Sequence, residues 1–349
     1  MTKHFKFAWI DDDVARASGY SGGLNGTLNG ENVEVGLEPI EVTASLFEDL
    51  SARIENQWFS RPPDLIMLDH SFSRVAKRLF DVHGSGLAHL LRIRLPKTPI
   101  VCVTGQGLSS DGFNSEDLSE YTFLFDVNHL NDETTLERLF SIANDFNRVC
   151  FPEKLPIRGK LIDALGTPDI DRSSLLTILP QEFESHFVHG TSPHRTAKWV
   201  FDVLIERPGF LYDTLHTATL LGLNESSFKH KVAHLFDEAL YKGPFATKSQ
   251  PRWWVSSVAE VLYTMLPACS RLSTQDAGRK LPNIAEADFS VCGVTNEHSP
   301  APDVVAFTDD TGLARLPVRH VFTMPSSDTE SATLGFPTRL KIRNPRRGG

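Results

Sequence analysis

Cysteine is scarce in this chain: Cys102, Cys150, Cys269 and Cys292 are the only four, and no two of them form a Cys-x-x-Cys pair. Spacing this wide excludes a disulfide framework and fits reduced thiols in a cytoplasmic protein. Long apolar runs are missing as well, none approaching the ~20 residues that cross a bilayer, so a soluble protein with no membrane partner is expected. The opening Met1-Thr-Lys-His-Phe-Lys6 lacks the make-up of a signal peptide. Positive charge is in deficit, with 35 Lys and Arg against 44 Asp and Glu and a formal net charge of -9. That excludes a global attraction to nucleic acid or anionic lipid and leaves only local binding. No lysine stands between Thr98 and Glu153, and no internal repeat is found.

What the chain does have is bulk and strand ends rich in oxygen. Its 349 residues, 40% of them hydrophobic, suffice for a large core and two or three domains. Three short apolar runs, Phe7 to Ile10, Leu65 to Leu68 and Ile100 to Val103, each stop at a carboxylate or hydroxyl residue. In an open parallel sheet such ends converge outside the carboxyl edge, where ligands bind. Asp11 and Asp12 from one run and Asp69 from the next make a hard oxygen set suited to Mg²⁺. Thr104, which ends the third run, is placed to hydrogen-bond an anion held there.

With the Gly-Leu-Ala-His-Leu-Leu-Arg helix between Asp69 and Thr104, this order and spacing resembles a response-regulator receiver domain over about residues 4–149. The resemblance implies a doubly wound, five-stranded parallel sheet. It also implies that Asp11 and Asp12 bind the metal with Asp69, that Asp69 accepts a phosphoryl group from a histidine kinase or other phosphodonor, and that Thr104 and Phe123 form the switch. The chain departs from the family after the fifth strand, where a lysine is usual and Phe-Leu-Phe-Asp126 stands instead; an Asp126 pointing into the site would disfavour a phosphoryl dianion. A second departure is Ser18 to Asn32, whose five glycines argue for a long loop beside the acidic site. A third is an insertion from Ser71 to His83.

Further along, Asn131-Asp-Glu133 caps a helix whose apolar face is Leu136, Leu139, Phe140, Ala143 and Phe146. Two prolines in Cys150 to Pro156 then mark a boundary, giving domains at 1–150, 157–272 and 285–343. Residues 195–266 alternate helix, Gly222-containing turn, helix, a ribbon from Gly243 to Trp254 and helix, an order that resembles a winged helix-turn-helix. Lys229, Lys231, Lys248 and Arg252 form its expected surface for duplex DNA or a protein partner, although Lys198 to Arg271 carries eight Lys/Arg against seven Asp/Glu. From Ala287 the pattern turns to strands, Phe289 to Val294, Val304 to Phe307, Val318 to Met324 and Thr338 to Ile342, with a turn at Asp309 to Gly312. A basic tail follows at Arg339, Lys341, Arg343, Arg346 and Arg347, read as solvated.

The expected function is a response regulator whose atypical receiver controls a DNA-binding or docking output. The alternatives are a pseudo-receiver adaptor working with an operon-encoded partner without phosphorylation, and a metal-dependent phosphoesterase on the same acids. The first two are not enzymes. His186, His189 and His194 lack a recognised metal spacing, and Cys292 with His298 or His320 lacks any orienting motif for a thiol nucleophile.

Overall fold

The computed structural model describes residues 2–20, 22–42, 52–58, 60–70, 72, 84–105, 121–151, 157–180, 183, 193–308, 315–325 and 340–342. The Asp309 to Gly312 turn, His186, His189, most of Ser71 to His83 and all of the basic tail except Lys341 lie outside these residues. The chain divides into two units. The first comprises Met1–Ala164, Glu182–Phe201 and Pro244–Ser249; the second comprises Leu165–Gln181, Asp202–Gly243 and Gln250–Gly349. This division differs from the three consecutive domains expected, because two later pieces of chain fold with the N-terminal sheet.

In the first unit, β1 (Thr2–Asp11), β3 (Glu31–Glu41), β4 (Leu65–Asp69), β5 (Ile100–Thr104) and β6 (Phe123–Asp126) run parallel, and β2 (Gly26–Leu28) adds an antiparallel edge. The sheet order is β2-β3-β1-β4-β5-β6. Without β2 this is the 2-1-3-4-5 order of doubly wound folds, in which ligands bind where the order reverses, here between β1 and β4. Leu65–Asp69 and Ile100–Thr104 are buried at every position, as expected of parallel strands covered on both faces.

Alternation along β1 assigns the two layers. Ala8 and Ile10 join Ile66, Leu68, Ile100 and Cys102 in a core closed by Leu87, Ala88 and Leu91 of α2 (Gly84–Arg94). Phe5 and Phe7 instead stack near Phe140 of α3 (Glu133–Asp145), with ring centroids 6.3 and 6.4 Å away. Helix α3 begins at Asp132 and buries Leu136, Leu139, Phe140 and Ala143, the face expected of it.

The glycine-rich stretch is not a long loop. A seven-residue helix, α1 (Val14–Tyr20), is followed by a hairpin whose turn is Asn29-Gly30, both at positive φ (55° and 85°). Asn-Gly is the preferred pair for a two-residue turn of this kind, because both positions need the left-handed region. Glycine content was therefore spent on a tight edge hairpin.

The second unit, taken by itself, holds α5 (Asp169–Ile178), which follows α4 (Ile157–Ala164) of the first unit in the chain. A short helix α6 (Pro193–Lys198), also of the first unit, runs on as a wider helix through Trp199–Ile205, whose last residues enter the second. Next come β7 (Leu211–Tyr212), α7 (Thr214–Leu220) and α8 (Glu225–Ser227), which continues as helical turns to Phe236. Gly222, at φ 68°, turns the chain between α7 and α8. β8 (Trp253–Trp254) pairs antiparallel with β7 and bridges to Leu240, and α9 (Val255–Met265) and α10 (Thr274–Gly278) follow. Both tryptophans are buried, and Trp253 packs on Phe228. The ribbon expected within Gly243 to Trp254 is not formed as two strands of that segment; β8 finds its partner before α7. The C-terminal sheet contains β9 (Val304–Phe307), β10 (Arg315–Val318), β11 (Thr323–Pro325) and β12 (Leu340–Ile342) in the order β10-β9-β12-β11. Phe289 to Val294, read as a strand, is not one: Phe289 bridges to Leu223 and Gly293 N–H donates to the Pro317 carbonyl, and the chain then turns, with Asn296 N–H donating to the Cys292 carbonyl.

Candidate functional site

The acidic triplet divides its labour. Asp13 begins α1: its carbonyl accepts the Ala17 N–H at 3.2 Å, and its carboxylate accepts the Arg16 N–H at 3.2 Å. This capping turn directs the chain away from β1 and leaves Asp11 and Asp12 at the sheet edge. Parallel register pairs Ile10 with Leu68, which puts Asp11 beside Asp69 at the carboxyl ends of adjacent strands. Carboxylate oxygens of Asp11, Asp12 and Asp69 all lie within 4.8 Å of one another. Asp11 is fully buried and Asp69 nearly so. Thr104, also buried, follows the residue that pairs with Asp69 and is itself paired with Asp126. The sheet thus carries oxygen-bearing residues at the ends of four successive parallel strands.

Sequence reading missed the cation. Arg16 projects from α1 and donates through Nη2 to Asp11 Oδ2 at 2.6 Å and to Asp69 Oδ2 at 2.5 Å, with Nε 3.2 Å from the same Asp11 oxygen. Burial works against the guanidinium's charge, but hydrogen bonds and attraction from Asp11 and Asp69 outweigh it and raise its pKa above the ordinary value. Asp11 Oδ2 also accepts the Trp9 indole N–H at 3.1 Å, and Oδ1 accepts the Asp13 N–H at 2.7 Å. The signal that could have found Arg16 was the cap at Asp13, which puts Arg16 three residues into a helix and within reach of the strand ends.

Behind Asp69 the packing is tight. His70 is buried with Nδ1 3.1 Å from the Tyr121 hydroxyl, and Gly84 donates its N–H to the His70 carbonyl at 2.9 Å. A Cβ on Gly84 would lie 2.2 Å from the Asp69 carbonyl oxygen and 2.6 Å from the Tyr121 hydroxyl. Gly84 is what lets α2 approach the end of β4. Cys102, deep in the sheet, has its thiol pKa pushed up by burial and by nearby Asp69.

Two residues of the rim have packing and capping partners of their own. Asp126 is an N-cap, accepting the backbone and side-chain N–H of Asn128, both at 2.9 Å, and so serves the turn after β6. Phe123 is buried, with its ring 4.8 Å from Phe201 and 5.7 Å from Phe245, both edge-on. Phe245 belongs to Pro244–Ser249, the segment expected as a ribbon. That segment is fastened to α3: Phe245 N–H donates to Asp145, and Lys248 and Ser249 N–H donate to Glu137.

Of the four basic residues expected as an output surface, Lys229, Lys231 and Lys248 are exposed and Arg252 is not. Lys248 folds with the first unit, where its ammonium donates to the Asn29 carbonyl at 2.6 Å. Lys231 is 2.7 Å from both oxygens of Asp288, and Arg252 is largely buried, donating to the Ile205 carbonyl at 3.0 Å. Lys229 is exposed. The Lys231 ammonium, with the Ser227 hydroxyl and the Ala285 N–H, holds the Asp288 carboxyl down at about 2. His194, weighed for metal, is buried against the Thr122 hydroxyl at 2.6 Å. Cys292 is buried; burial raises its pKa, but N–H groups of Thr295, Val294 and Arg319 bring it down to about 7.

No family model matches the chain, and no curated protein matches it in sequence. Among solved structures it is similar to response regulators. The OmpR/PhoB homologue DrrB of Thermotoga maritima is 18% identical with a TM-score of 0.27, over 40% of this chain and 53% of that one. A CheY-like receiver domain from Methanospirillum hungatei JF-1 is 19% identical with a TM-score of 0.27, over 41% and 95%. The phosphorylated cyanobacterial phytochrome response regulator RcpA is 16% identical with the same TM-score, over 40% and 94%. The chain therefore spans about half the length of DrrB. Among the described residues no helix is long and apolar enough to cross a membrane.

Proposed function

We propose that the first unit is a receiver-type signalling module in which Asp69 accepts a phosphoryl group. The observation that carries this is the cluster of Asp11, Asp12 and Asp69 within 4.8 Å at the reversal point of a 2-1-3-4-5 sheet. Three hard oxygen donors fit Mg²⁺, and Asp11, Asp12 and Asp69 would hold it. When bound, Mg²⁺ supplies the charge screening that lets a carboxylate attack a phosphate. A carboxylate oxygen of Asp69 forms the new bond to phosphorus as the bond to the donor's leaving group breaks, giving an acyl phosphate. Thr104, at the adjoining strand end, is the hydroxyl nearest in register to receive the new dianion.

The output reading rests on Phe123. Its ring packs against Phe245, in a segment that leaves the second unit after Gly243 and re-enters it at Gln250. The second unit's helix order, with β8 between β7 and Leu240, supports a winged-helix-like module. A protein-docking role suits it better than duplex DNA, because Lys231, Lys248 and Arg252 are each engaged within the chain. A pseudo-receiver that scaffolds an operon-encoded partner is the second reading, favoured by Asp126 capping a turn where receivers keep a lysine. Exposure to a small-molecule phosphodonor with Mg²⁺, followed by intact-mass measurement, separates the two. The receiver reading expects one phosphoryl group per chain, absent in Asp69→Asn. A wild-type mass that never changes would favour the scaffold.

A further inference from the structure

The acids of the site are not waiting empty-handed. Asp11 Oδ2 receives three N–H donors, two from Arg16 and one from Trp9, and Asp69 Oδ2 receives the same Arg16 Nη2. An oxygen so occupied cannot also bind a divalent cation without giving up donors, since each lone-pair direction serves one partner at full strength. The Trp9 indole is buried in the sheet and cannot leave. Arg16 can: it sits on a seven-residue helix and its side chain is one-third exposed. Arg16 is thus a cation that α1 brings directly onto Asp11 and Asp69.

We propose that Arg16 is a tethered cation that competes with the divalent metal for Asp11 and Asp69, so that metal binding requires its guanidinium to swing out of the carboxylate pair. This deepens the reading of Asp11, Asp12 and Asp69 as a metal-assisted phospho-acceptor site and rests on it. Arginine suits the task, because its planar fork joins two carboxylates at once, which a lysine ammonium does with less directional hold. The competition sets a threshold: the site fills only when the ion's gain exceeds the loss of these charged hydrogen bonds. Once released, the same guanidinium remains within one side-chain length of Asp69 and is a cation available to phosphoryl oxygens there.

The test is a Mn²⁺ titration of the full chain, with the free ion read by electron paramagnetic resonance. Arg16→Ala should bind Mn²⁺ about tenfold more tightly than wild type, the scale expected when about one charged hydrogen bond no longer has to be broken. Arg16→Lys, which keeps the charge and loses the fork, should fall between them and serves if the alanine variant does not fold. Asp11→Asn in the Arg16→Ala background should abolish the gain. Equal or weaker Mn²⁺ binding by both Arg16 variants would overturn the proposal, as would no binding by any of the proteins. Phosphorylation is scored separately: tighter Mn²⁺ binding in Arg16→Ala with no mass gain at Asp69 leaves the competition standing and removes the phospho-acceptor. A mass gain at Asp69 with unchanged Mn²⁺ affinity does the reverse.

Discussion

Each unit buries a carboxylate beside a basic side chain, and the two pairings work differently. In the second unit Asp288 is met by four donor contacts: the Lys231 ammonium on both oxygens, the Ser227 hydroxyl and the Ala285 N–H. One acid is there fully satisfied, and the arrangement ties α8 to the Ala285–Asp288 turn. In the first unit one guanidinium serves two carboxylates, with Asp12 close by as a third. The donors of one cation are there divided between two acids rather than gathered on one. The two pairings differ in how many acids one cation serves, which neither distance nor burial alone would reveal.

The largest effect should come from removing the shared cation. Arg16→Ala, measured without divalent metal, should cost about 3 kcal/mol, because two buried carboxylates then face each other without the guanidinium between them. Lys231→Ala leaves Asp288 its hydroxyl and amide donors and should lower the melting temperature much less. Equal losses in calorimetry would erase the distinction between the two pairs. Gly84→Ala should follow, at about 2 kcal/mol, as its Cβ meets the Asp69 carbonyl oxygen; chemical denaturation reads it directly. A neutral result would mean that α2 can withdraw from β4 freely.

An effect absent at neutral pH and growing only on acidification belongs to His194. Burial, then the charge of Arg92, depresses its folded pKa to about 3, against an unfolded value of ~6.5. A depressed folded pKa means that the unfolded chain takes up the proton first. Stability from the neutral imidazole is therefore intact above pH ~6.5 and declines as pH falls toward 3, by up to ~1.4 kcal/mol per pH unit. His194→Gln should flatten that decline in melting curves taken from pH 7 to pH 4, and an unchanged slope would assign it to other groups.

Much of the first unit was legible because its signals are local. Apolar runs ending at Asp11, Asp69 and Thr104 gave the strand ends, and the Asp132 cap with the Leu136 to Phe146 periodicity gave α3. Two local signals were passed over: Asn29-Gly30, which makes a hairpin of the glycine-rich stretch, and the Asp13 cap, which aims Arg16. The remainder was non-local. Nothing near Phe245 in the sequence announces that its ring meets Phe123 more than a hundred residues earlier, or that Glu137 accepts the amides of Lys248 and Ser249. The partners of the basic residues are non-local in the same way. Lys231 lies outside the buried helical stripe, as its spacing implies, but its partner Asp288 is 57 positions away.

The central claim is that Asp69, and no other acid of the cluster, is the acceptor. Borohydride reduces an aspartyl phosphate to homoserine, so phosphodonor treatment with Mg²⁺, reduction and peptide mapping locates the modified residue. Homoserine at position 69 alone is the result predicted. Conversion at Asp11 or Asp12, or at none of the three, would contradict it.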